Sequence, residues 1–417
     1  MPTQEASSIS VNGRAYRRPG VPVVAICLDG TGKAYLDAAA AVMPNLRAIV
    51  AGGAYGTVQS VVPTLTNPNN VAIVTGVPPR ANGICGNYYY DAERGAEVMM
   101  NDPAYLRCPT ILSAFSRAGL SVAVVTTKDK LRRLLGKDLI GVCISVECAQ
   151  DATFQDATAE ENGVTDVIAM VGRPAPGIYD PEASIYCLET GVRLIERGKI
   201  DLLYLSTTDF VQHKNPPGSP GANAFFARVD EFLGRLDRLG VILGATADHG
   251  MNDKVNRDGS PKVKFVESIL REAGFAEARV ILPITDPYVV HHGALGSYAT
   301  VYLDRNHVAA AAAVLGRVDG IEMVLAREEA AERFQLPSDR IGDLVLLSDR
   351  STVLGRTADW HDLSQVKSGL RSHGGLHERA VPLVCNRRLK PEYARRLESG
   401  AANNYDLLDF LCNGTEG

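Results

Sequence analysis

The sequence predicts an α/β fold in which a mostly parallel central sheet is flanked by helices and interrupted by a smaller α+β cap insertion. Over residues 1–250, short apolar runs rich in β-branched residues alternate with longer amphipathic stretches. This alternation is typical of parallel strands that helices cover on both faces. The pattern changes over 251–369 and returns afterwards. We therefore expect a discontinuous core formed by 1–250 and 370–417, with 251–369 as the cap.

The first half of the chain contains the strands and helices that define this fold class. Short runs predict buried strands at VPVVAIC, GTVQSVVPT, SVAVVTTK, DLLYLSTT and VILGAT. Helices are predicted through about Val50, then at NNVAIVTG, AYLRCPTILSAFSRAGL, SIYCLETGVRLIERGKI and NAFFARVDEFLGRLDRLG. Each strand is thus followed by a helix before the next strand, which is the order of a parallel sheet with crossover connections.

The second half begins with a different pattern and ends with a return to the first. VESILREAGF predicts a helix, and TVYLDR, EMVLAREEAAERF and DLVLLSD alternate without long buried runs. AVPLVCN then predicts another buried strand and YDLLDFLCN a final helix. These last two elements are expected to rejoin the core.

Composition excludes several classes of partner. The 417 residues are 46% apolar and 22% charged, as in a globular protein with a large core. A net charge of −5 gives no reason to expect nucleic acid or an anionic membrane. Neither a secretory signal nor a membrane span is apparent.

The eight cysteines are scattered without a C-x-x-C pair, which predicts reduced thiols in a cytoplasmic protein. A homodimer is expected only from the general frequency of twofold assemblies.

Carboxylate and imidazole side chains follow three of the predicted strands, and one more histidine occurs late in the chain. The set consists of Asp29, Asp209, His213, Asp248, His249 and, in the segment RSHGG, His373. These are ligand types for Zn²⁺ and similar ions, without excluding manganese or iron. Because the carboxyl ends of parallel strands meet at one sheet edge, the pattern predicts one composite metal site with two ions.

Each member of this set also has a simpler interpretation. Asp29 alone could cap a helix or stabilise a turn. Asp209 and His213 are four residues apart, which places them on one face of a helical turn but is a weak pattern by itself. The pair Asp248 and His249 could form a turn with an exposed imidazole. It is the four segments together that favour a metal site.

A nucleophile candidate lies in SVVPTLTNPNNVAIVTG. Thr66 precedes the predicted helix, and free N–H groups at a helix N-terminus favour an anion such as a phosphate or an alkoxide. A metal ion would lower the pKa of such a hydroxyl. The alternative is that Thr66 or Thr64 only caps the helix.

Two lysines follow the strand SVAVVTT. Lys128 and Lys130 are two residues apart and would point to the same side of an extended segment. Their ammonium groups could bind the carboxylate of a small anionic substrate, although most lysines are simply solvated. His291 and His292 in the predicted cap could also reach a substrate, and one of the two is expected to lie on the surface.

The motifs TLTNPNN, VTG, NGICGN, Asp-x-x-x-His, ADHG and SHGG resemble those of the alkaline phosphatase superfamily, in its nucleotide pyrophosphatase/phosphodiesterase-like branch. The resemblance implies an alkaline phosphatase-like core, with Thr66 as the nucleophile and Asn87 as a donor to the phosphoryl oxygens. It also implies two zinc sites. One would be formed by Asp209, His213 and His373, and the other by Asp29, Thr66, Asp248 and His249. By spacing alone, His377 competes with His373 as the late ligand.

Within that branch, NPNNVAIVTGVPP, NYYYD, TTKDK and DPYVVHHGALGSY resemble the phosphonoacetate hydrolases. This closer resemblance implies a di-zinc enzyme that splits phosphonoacetate, a small-molecule phosphonate, into acetate and phosphate through a phosphothreonine. A phosphodiesterase or phosphomonoesterase is the main alternative. A metal-dependent phosphomutase is less favoured, because such relatives prefer manganese and typically carry serine where Thr66 aligns. A non-catalytic metal-binding protein is disfavoured, because both the nucleophile and the ligands are present.

Overall fold

The computed structural model of the chain describes residues 8–147, 167–177, 179–364, 366 and 369–416. Within these residues the largest sheet has seven strands and is called the central sheet. In spatial order its strands are Ala54–Gln59, Ala380–Cys385, Ile242–Thr246, Val23–Cys27, Leu202–Ser206, Val122–Thr126 and Gly141–Ser145. The two antiparallel pairings of this sheet both involve Ala380–Cys385, and the other pairings are parallel. The predicted mostly parallel sheet is therefore confirmed.

The inner strands of this sheet are buried on both faces, as their continuous apolar sequences require. All five residues of Val23–Cys27 are buried. Val24 and Ile26 belong to one apolar cluster, whereas Val23, Ala25 and Cys27 belong to another. Because successive side chains of a strand point to opposite faces, the two clusters are the two helix-covered layers of the core.

Helices surround the central sheet, and four of them, Pro79–Asn82, Asp129–Leu135, Val167–Val171 and Pro391–Glu398, were not predicted. The helices around this sheet are Lys33–Ala39, Pro44–Gly52, Thr66–Thr75, Pro79–Asn82, Ile111–Arg117, Asp129–Leu135, Val167–Val171, Glu182–Glu196, Pro220–Arg238, Pro391–Glu398 and Leu407–Asn413. The helix predicted over 104–120 is shorter than expected. Pro109 disfavours helical backbone before it, and the Thr110 side chain caps the new start by accepting from the Ser113 N–H.

A second, smaller sheet lies within the predicted cap. Its four strands are all antiparallel and run in the order Arg279–Ile281, Tyr298–Tyr302, Leu344–Ser348 and Ile321–Ala326. Helices Val266–Glu272, Val308–Leu315 and Arg327–Phe334 accompany it. Strand Ile321–Ala326 passes directly into the last of these helices, so EMVLAREEAAERF contains one strand and one helix.

A two-residue ladder joins the start of the predicted cap to its end. Asn252–Asp253 pairs antiparallel with Arg371–Ser372, with Asn252 opposite Ser372 and Asp253 opposite Arg371. This ladder supports the proposal that 251–369 is an insertion, because it brings together the two points where the chain leaves and re-enters the core.

Three further observations concern two hairpins, the cysteines and the apolar character of the helices. Hairpins Ser8–Val11/Arg14–Arg17 and Tyr88–Asp91/Ala96–Met99 were not predicted, although the first carries a usable signal, an alternating SISV strand followed by an Asn12–Gly13 turn with positive φ at both residues. The seven cysteines within the described residues are free thiols. Among the same residues, no helix combines the length and the apolar character needed to cross a bilayer.

Candidate metal centre

Three neighbouring parallel strands of the central sheet are followed by buried carboxylates. In each case the carboxylate lies shortly after the last strand residue, and the three are Asp29, Asp209 and Asp248. The turn at Gly30 lets two of these segments approach each other. Gly30 has a φ of +66°, and a Cβ at this position would lie 2.7 Å from the Cβ of Asp209. Glycine is therefore required where the first strand turns beside the second carboxylate.

The carboxylates and two histidines form two overlapping groups whose ligand atoms lie within 4.8 Å of one another. One group contains Asp29, Asp248 and His249, and the other contains Asp209, His249 and His373. The Nε2 atom of His249 lies 3.3 Å from Oδ1 of Asp29 and 3.7 Å from Oδ2 of Asp248. The Nε2 atom of His373 lies 3.8 Å from Oδ2 of Asp209. The structure thus brings together residues that are hundreds of positions apart.

His213 adds a third imidazole beside Asp209. Its backbone N–H donates to the Asp209 carbonyl at 3.1 Å, so the two residues span one helical turn, as their spacing predicts. Its Nε2 atom lies 2.9 Å from Oδ2 of Asp209. The ring of His213 is 5.9 Å from that of His373, whereas His249 and His373 stack with centroids 3.5 Å apart.

All three imidazoles are oriented by a backbone carbonyl. The acceptors of the Nδ1 atoms are the carbonyls of Arg371 for His213 at 3.0 Å, Gly250 for His249 at 2.9 Å and Thr64 for His373 at 2.7 Å. Because a carbonyl only accepts, each Nδ1 must carry the proton. In the neutral ring the lone pair then lies on Nε2, which faces the carboxylates. This is the arrangement of metal-ligating histidines, whose second nitrogen is held by an outer partner.

Two buried ligand atoms in this centre have no hydrogen-bond partner. They are Oδ1 of Asp29 and Nε2 of His249, both fully enclosed. Buried polar atoms are normally satisfied, and carboxylate oxygen and imidazole nitrogen suit Zn²⁺ or a similar ion. The residues present therefore fit a metal ion.

The charges of the centre also favour a cation. Burial and the neighbouring Asp29 raise the pKa of Asp248 well above its usual value, since two enclosed carboxylates repel each other. Burial alone would lower the pKa of His249, but the carboxylates of Asp248, Asp29 and Asp209 together outweigh it and raise that pKa to about 9. A divalent ion would relieve the repulsion between the carboxylates.

The late histidine of the centre is distinguished by burial. His373 is buried against Asp209, whereas His377 is partly exposed and its Nε2 lies 2.5 Å from Oε2 of Glu322. His377 is therefore engaged away from the cluster, and geometry favours His373, the residue that the motif indicates.

Thr64 and Thr66 have different surroundings. The Thr64 hydroxyl donates to the Gly375 carbonyl at 3.0 Å and accepts from the Gly374 N–H at 2.9 Å. Thr66 is the first residue of helix Thr66–Thr75 and is partly exposed, and the preceding N-cap residue, Leu65, offers no side-chain cap to the helix N-terminus. Thr64 thus holds the loop of the late histidine, while Thr66 presents its side chain at a helix N-terminus.

One amide connects the nucleophile candidate to the carboxylates. Nδ2 of Asn70 lies 3.1 Å from the Thr66 carbonyl and 3.4 Å from Oδ2 of Asp248. The Tyr204 hydroxyl donates to the other side of this amide at 2.8 Å. The start of the helix is therefore fixed beside the metal centre.

The two lysines do not lie in one extended segment. The helix begins at Asp129, so Lys128 precedes it and Lys130 lies in its first turn. Nζ of Lys128 lies 3.2 Å from Oδ2 of Asp29 and 3.9 Å from Oδ1 of Asp209. The Lys130 side chain is 55% exposed and forms an ion pair with Asp286 of the predicted cap. The prediction that both lysines point to the same side of an extended segment is wrong, yet each ammonium pairs with a carboxylate.

The other predicted substrate contacts lie on the cap side. One N–H of the Asn87 amide donates to the Ile284 carbonyl at 3.0 Å, and an amide has a second N–H to offer. His291 is exposed, and its Nδ1 accepts from the Gly293 N–H at 3.0 Å. His292 is partly buried, and burial and the neighbouring His291 lower its pKa. His292 also has an unpartnered Nδ1, so it is the better placed of the pair for a ligand.

Comparison with known proteins gives the family. The family described as type I phosphodiesterase / nucleotide pyrophosphatase matches residues 23–376, which is most of the chain. The chain belongs to this family. The branch that the sequence motifs indicated is therefore confirmed.

Solved structures place this phosphodiesterase-family chain more narrowly. Phosphonoacetate hydrolase from Sinorhizobium meliloti 1021, in complex with phosphonoformate, is 49% identical with a TM-score of 0.90, covering 97% of this chain and 98% of that one. The same enzyme in complex with phosphonoacetate is 48% identical, with the same TM-score and coverage. Murine ectonucleotide pyrophosphatase/phosphodiesterase 5 is 19% identical with a TM-score of 0.63 over 94% of each chain, which shows a shared fold.

Curated relatives match only a short part of the chain. Ectonucleotide pyrophosphatase/phosphodiesterase family member 3 of Mus musculus and of Rattus norvegicus are each 34% identical over 71 residues. This stretch is 17% of the chain and 8% of the length of those proteins. Together with the solved structures, the comparisons confirm the predicted similarity to phosphonoacetate hydrolases and the prediction of an enzyme.

Several supporting residues of this phosphodiesterase-family site were not predicted. Asn70 links helix Thr66–Thr75 to Asp248, and Gln212 donates from Nε2 to the Asp29 carbonyl at 2.8 Å. An adjacent asparagine pair inside an apolar helix was a usable signal for Asn70. A glutamine one residue before His213 carried no such signal, because its partner comes from another strand.

Proposed function

We propose that the chain hydrolyses the carbon–phosphorus bond of phosphonoacetate, giving acetate and phosphate. The observation that carries this proposal is a buried carboxylate and imidazole cluster with a lysine, Lys128, directed into it. A second lysine, Lys130, follows two residues later and pairs with Asp286. A phosphodiester has no free carboxylate that would need these ammonium groups. The 49% identity to a phosphonoacetate hydrolase supports the same substrate.

We further propose that the resident ions are two Zn²⁺. The residues that would hold them are Asp209, His213 and His373 for one, and Asp29, Thr66, Asp248 and His249 for the other. When bound, the ions supply positive charge that stabilises the phosphoryl oxygens and lowers the pKa of a nearby hydroxyl.

The protein's own residues would then perform two steps. In the first, the Thr66 oxygen attacks phosphorus, so that a P–O bond forms as the P–C bond breaks. The electron pair passes to carbon and is delocalised into the carboxylate, which Lys128 and Lys130 stabilise, and carbon then takes a proton from water. The second N–H of Asn87 donates to a phosphoryl oxygen. The proton that the Thr66 hydroxyl loses in the first step passes to water. In the second step, water attacks phosphorus and the P–O bond to Thr66 breaks, which releases phosphate and restores the hydroxyl.

Lys128 and Lys130 should affect phosphonoacetate more than esters. Lys130→Met is expected to lower kcat/KM for phosphonoacetate on the order of tenfold or more, because a hydrogen bond to a charged group contributes about 1.5–3 kcal/mol. Turnover of nitrophenyl phosphate should change much less, since that substrate lacks the carboxylate. Steady-state kinetics on both substrates checks this. The exposed Lys199, changed to Met, is the matched control and should affect neither.

The decisive comparison is between phosphonoacetate and esters. Phosphate release should be measured for phosphonoacetate beside a nitrophenyl phosphodiester and monoester, with and without zinc after chelation. Zinc-dependent release from phosphonoacetate at rates above those for the esters is the expected result. Activity confined to the esters would instead favour a phosphodiesterase or phosphomonoesterase, the alternative that the family match supports.

A further inference from the structure

Arg371 occupies an unusual position beside the metal centre. It is 5% exposed, although arginine is rarely so buried without paired acceptors. Its Nε donates to the Gln212 carbonyl at 2.9 Å. One Nη2 contact is with the Tyr35 hydroxyl at 3.0 Å and another is with the Met251 carbonyl at 3.3 Å. Nη1 forms an ion pair with Asp253.

These acceptors belong to different ligand-bearing segments. Gln212 directly precedes His213, and Met251 follows His249 by two residues. Arg371 is itself two residues before His373, and its own carbonyl accepts from Nδ1 of His213 at 3.0 Å. A single residue therefore contacts all three segments that supply imidazole ligands.

We propose that Arg371 is a positioning residue that holds these three segments in register, so that the imidazoles converge on the metal ions. The guanidinium is planar and has five donors in a fixed arrangement, which lets it bind several carbonyls at once. A lysine at this position has a compact head group and could not satisfy the same acceptors. Removing the guanidinium would leave the Gln212 and Met251 carbonyls with one partner fewer in a buried environment, which favours rearrangement of both segments.

The rival interpretation is that Arg371 only forms an ion pair with Asp253 across the short ladder. The Asp253 side chain is 61% exposed, and exposed ion pairs contribute little. The contacts to Gln212, Tyr35 and Met251 are buried and connect separate segments. The buried contacts are thus the ones expected to shape the centre.

The test is the zinc affinity of the metal-free protein, measured by competition with a chromogenic chelator. Arg371→Lys is expected to weaken zinc binding about 10- to 100-fold, the usual effect of losing an outer-shell partner. Asp253→Asn, which removes the ion pair but leaves the buried contacts, should stay within about twofold. Tyr35→Phe removes one hydroxyl from the network and should give a smaller loss than Arg371→Lys, which keeps the proposal testable if the lysine variant folds poorly.

Activity gives an independent readout, because Arg371 touches no substrate in this proposal. With saturating zinc, Arg371→Lys should recover turnover with a nearly unchanged KM for phosphonoacetate. Unchanged zinc affinity in both Arg371→Lys and Tyr35→Phe would overturn the proposal, as would a loss in Asp253→Asn equal to that in Arg371→Lys. This inference rests on the proposed metal centre, yet zinc titration needs no substrate. Failure of the wild-type protein to hydrolyse phosphonoacetate would therefore count against the function and not against Arg371.

Discussion

Thr66→Ala is expected to lower the turnover of phosphonoacetate by about a thousandfold or more, because the variant has no hydroxyl to attack phosphorus. Thr66 is the first residue of its helix, and the Asn70 amide fixes that helix end to Asp248. Zinc content should remain largely intact, since the six carboxylate and imidazole ligands stay in place. Single-turnover phosphate release and metal analysis on the same preparation check both parts.

Two variants make the result specific to Thr66. Thr66→Ser keeps a hydroxyl and should retain measurable turnover. Thr64→Ala should instead weaken zinc binding, because the Thr64 hydroxyl bonds Gly374 and Gly375 in the loop that follows His373. An active Thr66→Ala variant would contradict the assigned role.

Glu378→Ala is expected to destabilise the protein by about 3–5 kcal/mol, because it leaves a buried ammonium without its counter-charge. The side chains of Lys254 and Glu378 are both fully buried, with Nζ 2.9 Å from Oε1. Apart from Glu378, the Nζ atom of Lys254 contacts only the Arg350 carbonyl among its described hydrogen bonds. Glu378 also accepts from Asn252 at 2.6 Å and from the Gly375 N–H at 3.0 Å, so the pair lies between two ligand-bearing loops.

Urea denaturation of metal-free protein measures this loss without interference from zinc. Asp349→Asn breaks the Lys262–Asp349 pair, whose side chains are 20% and 36% exposed, and should cost no more than about 1 kcal/mol. The double variant Lys254→Met, Glu378→Leu removes both charges and should recover much of the stability. Equal effects of Glu378→Ala and Asp349→Asn would show that burial of the pair does not matter.

The sequence alone predicts the sheet and the convergence of carboxylate and imidazole side chains at its edge. Val23–Cys27 and its neighbours are apolar and β-branched, so their burial follows from composition. Asp29, Asp209 and Asp248 converge because parallel strands end at one edge, whatever their separation in the chain. This is why motifs that are widely spaced in the sequence predict one site.

Other features depended on tertiary contacts that sequence spacing does not carry. Lys130 was expected beside Lys128, but the helix that begins at Asp129 turns it towards Asp286. The choice between His373 and His377 required burial, since both occur in one short segment.

The residues that contact the ligand-bearing segments from outside the cluster were not predicted, for a related reason. The contacts of Arg371 and the Lys254–Glu378 pair both depend on how the chain returns to the core after the cap. The ladder between Asn252–Asp253 and Arg371–Ser372 sets that register. No local sequence pattern predicts a contact between segments that are more than a hundred residues apart, so neither interaction could be predicted.

Analysis of both products tests whether the chain hydrolyses the carbon–phosphorus bond of phosphonoacetate. Phosphonoacetate should be incubated with zinc-loaded and with chelated protein, and both products followed by ³¹P and ¹H NMR. We expect equimolar phosphate and acetate from the zinc-loaded protein, loss of both products after chelation and recovery of both when zinc is restored. Intact phosphonoacetate in the presence of zinc, while nitrophenyl phosphodiester is hydrolysed by the same preparation, would contradict the proposed function.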